Sequence, residues 1–232
     1  MTVAMTTPAP PRVRRTAGRP GRLVVDAPVV PAWVKRWCDR SGRTVTARFA
    51  DPATEAATEA ATVASVAGDS VLIPRAEPPR SAHPRVVAVV RSLPDDARVL
   101  LDALDAAAHL NGVLVVLHGV PLSFGERSIG RAEAVDRGHH LLREARALVE
   151  GADTGVAVGV ALVRAWPHEI LGERLDADLL VLGGPRAGSR DRLGLVARSA
   201  ARHAPCAVLL APRPAFPTAR VPDGPPEARS GR

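Results

Sequence analysis

Tyrosine is absent from this 232-residue chain, and aromatic residues amount to 3%. Any core must therefore be built from Val, Leu and Ala, and the hydrophobic share of 46% is ordinary for a globular protein. There are two cysteines, Cys38 and Cys206. They make no disulfide framework, which fits a reducing cytoplasm. Long apolar runs are missing: none approaches the ~20 residues that span a bilayer. The first residues are rich in Pro and Arg without an apolar h-region, so no secretory signal is expected. Lysine occurs once, as Lys35, and arginine carries the rest of the basic count. Ser/His/Asp order, paired carboxylates and metal-ligand spacing are also missing, so no catalytic residues, no metal and no enzyme are expected.

The formal net charge of +7 first suggests nucleic acid. Its distribution argues otherwise. Residues 1–22 hold Arg12, Arg14, Arg15, Arg19 and Arg22 and no acid, and residues 212–232 carry a net +2. Residues 23–211 are then formally neutral. The basic balance sits in Pro-rich stretches that read as a disordered leader, 1–22, and a disordered tail, 214–232.

Between them, hydrophobic periodicity alternates strand and helix. Residues 23–76 read as a small α/β region. It holds strands at Leu23–Asp26, Thr44–Phe49 and Val71–Ile73, and helices at Pro31–Arg40 and about 52–66. Val71-Leu72-Ile73-Pro74-Arg75 echoes Val208 to Arg213, so this region reads as either a truncated repeat or a coincidence. Residues 77–84 are a proline-laden linker. Residues 85–213 repeat strand and helix as βαβαβαβαβ, which implies an α/β domain with a doubly wound, parallel, five-stranded sheet. Its first helix is expected to open at Ser92, with Asp95 at capping-box distance. The stretch 176–211 is the most informative: an apolar strand broken at Gly183-Gly184-Pro185, a polar loop, a helix and a second apolar strand. Such a βαβ unit meets small, anionic ligands at its loop. Gly183-x4-Gly188-Ser189 imitates a P-loop but lacks the lysine.

The segment Arg202-His203-Ala204-Pro205-Cys206-Ala207-Val208-Leu209-Leu210 resembles the closing strand of the universal stress protein family, over residues 84–213. The resemblance implies that family's fold, with strand order 3-2-1-4-5, and a ligand crevice between the first and fourth strands. It also implies a Gly-x-x-Gly-x9-Gly-Ser/Thr nucleotide loop. Here Gly183 and Gly194 match, but Arg186 replaces the second glycine, the spacer is two residues short, and Leu195 replaces the hydroxyl residue. At the end of the first strand, Val90 stands for an aspartate and Arg91 for a glycine. Each lost charge-assisted contact costs about 1.5–3 kcal/mol. Together they take a micromolar nucleotide site to millimolar or weaker.

The residues expected to line the crevice are Val90, Arg91, Ser92, Gly183, Gly184, Arg186, Gly188, Ser189, Gly194 and Leu195. The expected role is a cytoplasmic stress-response binding or regulatory protein without tight ATP binding. One alternative is an adenine-nucleotide (ATP) binder with an altered, arginine-lined pocket; others are a nucleotide hydrolase or a nucleic-acid binder through the tails. The resemblance also implies a homodimer through Ala207–Leu210, an apolar edge if left unpaired. His139 and His140 point about 100° apart on a helix and cannot chelate together; they are expected to face solvent. His203 is expected to pack, Cys206 to be a buried inert thiol, and Cys38, beside Lys35 and Arg36, to have mild reactivity.

Overall fold

The computed structural model describes residues 21–48, 68–75, 83–120, 128–165, 167–171, 175–186 and 193–213. Its strands are β1 (Leu23–Asp26), β2 (Val45–Arg48), β3 (Ser70–Ile73), β4 (Arg85–Val89), β5 (Val113–Gly119), β6 (Val158–Val163), β7 (Leu179–Arg186) and β8 (Ala207–Arg213). The helices are α1 (Ala32–Ser41), α2 (Ala97–Leu110), α3 (Ser128–Glu150), α4 (Pro167–Ile170) and α5 (Leu195–His203). The helix expected over 52–66 lies outside the described residues, as does all of the linker 77–84 except His83 and Pro84.

All eight strands form one sheet, in the order β2-β1-β3-β8-β7-β4-β5-β6. Strands β4 to β8 are mutually parallel and lie as third, second, first, fourth, fifth, the order expected. Short Val- and Leu-rich runs suit this position because a doubly wound sheet buries both faces. Side chains alternate accordingly. Val86, Ala88, Leu114, Leu179 and Leu209 meet the large core under α1, α2 and α3. Val87, Leu180, Leu182, Val208 and Leu210 meet the smaller core under α5. Pro31 precedes α1, Gly42 ends it at φ 71°, and Trp33, Val34 and Trp37 are buried as the periodicity predicts.

The three N-terminal strands extend that sheet. They are parallel to one another, and β3 pairs antiparallel with β8: Val71 with Leu210, Leu72 with Leu209, Ile73 with Val208. This corrects the expectation that Ala207–Leu210 is an open edge for a second copy. The echo of that strand at residues 71–73 is itself the partner, and it satisfies the hydrogen-bonding groups that an edge strand leaves bare.

A polar cluster fixes this attachment. The Asp102 carboxylate on α2 is 1% exposed; it accepts from Ser70 Oγ at 2.6 Å and from Arg43 Nη2 at 2.6 Å, and Arg98 Nε lies 3.0 Å away. Arg43 Nε also reaches Asp105 at 3.0 Å, and Trp37 Nε1 donates to the same carboxylate at 3.1 Å. Charges this deep are tolerated because each has a partner.

Candidate functional site

The switch point of the sheet lies between β4 and β7, where crossovers leave in opposite directions and ligands usually bind. At the end of β4 the chain does not open a helix at Ser92. It turns, and α2 begins at Ala97. Asp96, rather than Asp95, reaches back: its Oδ2 accepts the backbone N–H groups of Arg91 at 2.7 Å and Ser92 at 3.2 Å. Its Oδ1 accepts from Arg213, Nε at 2.8 Å and Nη2 at 2.7 Å. The Asp96 side chain is 0% exposed and that of Arg213 20%. A fully desolvated carboxylate is stable only with such a set of donors.

Arg213 closes the crevice from the β8 side. Its guanidinium lies over Gly183, where a Cβ would overlap it. A side chain at this position would push the Arg213 guanidinium away from Asp96.

Outward from this ion pair opens a cavity of about 790 Å³, within the usual range of about 300–1,000 Å³ for small-molecule sites. Val89, Val90, Leu182, Gly183 and Gly184 form its floor. Ala134, Gly138 and Leu141 of α3 line one wall, and Ile170, Leu171, Leu195 and Val196 the other. Polar neighbours on α3 pair along the helix: Arg137 Nη1 donates to Glu133 at 3.0 Å, and His140 Nε2 lies 3.3 Å from Glu144. His118 Nδ1 lies 2.9 Å from the Val90 carbonyl. A carbonyl only accepts, so Nδ1 carries the proton and Nε2 is the acceptor of the neutral ring.

The structure brings Val90, Arg91, Ser92, Gly183, Gly184, Gly194 and Leu195 to this cavity. Val90 is buried, and Arg91 is exposed at the mouth. Gly194 is the N-cap of α5, and Leu195 follows it, 80% exposed. Arg186 lies at the end of β7, and Gly188 and Ser189 are outside the described residues. Arg213, the last residue of the expected 85–213 domain, is not among the residues expected to line the crevice. The available signal was its place directly after an apolar strand, at the rim where the first and fourth strands also end.

The expectations for the histidines and cysteines are met only in part. His139 and His140 are exposed, as expected, and no metal-holding group of His, Cys, Asp or Glu occurs among the described residues. His203 is exposed at the end of α5 and does not pack. Cys38 is buried, against the mild reactivity expected of it: burial pushes its thiol up to about 11, and does the same for Cys206, also to about 11. No helix among the described residues is long and apolar enough to cross a membrane.

Fold and cavity together define a doubly wound α/β module with a crevice at its switch point. The sequence pattern of the universal stress protein family matches residues 83–212. The chain belongs to that family. No curated protein matches it. Among solved structures, it is similar to universal stress protein UspA from Lactobacillus plantarum, at 17% identity over 57% of this chain and 99% of that one, with a TM-score of 0.48. It is similar to the universal stress protein from Archaeoglobus fulgidus in complex with dAMP, at 25% identity over 54% and 94% of the two chains, with a TM-score of 0.42. A functionally unknown protein from Pseudomonas aeruginosa PAO1 covers more, 82% of this chain and 81% of its own, at 14% identity and a TM-score of 0.47.

Proposed function

We propose that this chain is a cytoplasmic stress-response binding module that works through occupancy of its crevice rather than through turnover, and that it does not hold ATP tightly. One observation carries the reading. The backbone amides of Arg91 and Ser92, which face the switch point, are already taken by the Asp96 carboxylate, and Arg213 neutralises that carboxylate. A phosphoryl group brought to the end of β4 would have to displace one anion with another and strip Arg213 from its partner. The substitutions at Val90 and Leu195 act in the same direction, since neither side chain can hydrogen-bond a nucleoside or a phosphate.

The module acts as a single chain, with β3 in the place that the homodimer expectation gave to a second copy. Calorimetric titration of the purified protein with ATP and magnesium tests the reading, together with native mass spectrometry for retained nucleotide. Millimolar or weaker binding and no retained nucleotide are expected. A micromolar dissociation constant or a co-purified nucleotide overturns it.

A further inference from the structure

We infer that the β4/β7 cavity takes an uncharged, mostly apolar small molecule, with the bulk of a fused-ring aromatic, in place of a nucleoside phosphate. The inference rests on the reading above, because it needs the ionic groups at the floor to be occupied. It adds the ligand's chemistry.

The floor behaves as an apolar surface. Asp96 and Arg213 satisfy one another and the adjoining amides, so they offer a ligand little unspent charge. Around that pair stand Val89, Val90 and Leu182 from the strands, Leu141 from α3, and Ile170 and Val196 opposite. Removing apolar ligand surface from water against such walls is favourable, whereas a multiply charged phosphate on that floor would compete with the Asp96 carboxylate for Arg213.

The mouth carries the same preference. Leu195, at the first position of α5, is 80% exposed and belongs to the cavity lining. A large apolar side chain left in water beside an apolar cavity gains when a ligand covers it. Arg91 at the rim is exposed, and Arg137 and His140 lie beside Glu133 and Glu144 along α3. His118 supplies a single hydrogen-bond acceptor, Nε2, which suits one hydroxyl or amine donor on the ligand.

The test titrates the full chain with N-phenyl-1-naphthylamine, a neutral fused-ring probe that carries one N–H and brightens on leaving water. A saturable rise in fluorescence is expected, unchanged by millimolar ATP with magnesium. Ala134→Trp, at a half-buried wall position of α3, fills the cavity and is expected to weaken the probe about tenfold or more. Should that variant fail to fold, Leu195→Asp decides, because its exposed site tolerates the change; about threefold weaker binding is expected there. No saturable signal in the native chain, or unchanged affinity in the deciding variant, overturns the inference. Calorimetry with ATP separates the two readings. Micromolar ATP binding overturns the proposed function, whatever the probe does. Failure of the probe with ATP also silent removes only the apolar ligand.

Discussion

Asp96 and Arg213 carry more of this protein's character than any residue of the glycine loop. One is fully buried, the other joins it from the far end of the domain, and together they bind the end of β4 to the end of β8. Replacing Arg213 by Met keeps much of the volume but leaves Asp96 as an uncompensated buried charge. The expected cost is about 3–5 kcal/mol, read as a lower urea midpoint. Asp96→Asn with Arg213→Met, which removes both charges, is expected to be milder than the single change, and a double-mutant cycle checks that. Val90, Arg91, Ser92, Gly183 and Leu195 were readable as a set because they follow apolar strands or open a helix. The ion pair was not, because nothing local distinguishes an arginine that ends a buried strand from the tail arginines after it. Distance in sequence hides such partners.

Helix α2 joins the N-terminal strands to the domain; its apolar stripe was readable in sequence, while its start and its buried charges were not. The spacing of Leu100, Leu104 and Ala108 shows an apolar stripe in sequence; Asp102 on the same helix looks like an ordinary solvated acid until Arg43 and Ser70 meet it. Asp102→Ala removes one of the two carboxylates that hold the buried Arg43 guanidinium, leaving Asp105, and is expected to cost about 1.5–3 kcal/mol. Limited proteolysis is expected to show β1–β3 released before the rest. The same helix gives a pH dependence. The hydrogen bond that His109 donates to the Asp105 carboxylate holds its pKa above the ordinary 6.5, although burial pulls the other way. A raised value in the folded state means that this contribution is complete below about 6.5 and is lost as pH rises through the folded value. The thermal midpoint is therefore expected to fall slightly over that interval, and His109→Gln is expected to flatten the slope.

The molecule as a whole is a five-stranded family domain with three extra strands occupying its edge. Element order and the doubly wound class were readable because helix and strand periods alternate so regularly from residue 85 onward. The attachment was not: three paired positions between β3 and β8 leave only a short apolar echo in sequence. Light scattering at micromolar concentration is expected to give the mass of one chain. A version lacking residues 1–75 bares β8 and is expected to dimerise through it. A full-length dimer that persists when residues 1–75 are removed would count against this account.

The pairing of residues 71–73 with 208–210 also sets a schedule. During synthesis β3 leaves the ribosome long before the strand it needs, and β8 is the last strand described. Such a distant contact closes late, because the whole intervening chain must be ordered first. Until then β1–β3 travel with one rim bare, a species open to wrong partners. Pulse-labelled hydrogen exchange during refolding is expected to protect β4 and β5 amides first and those of β3 last.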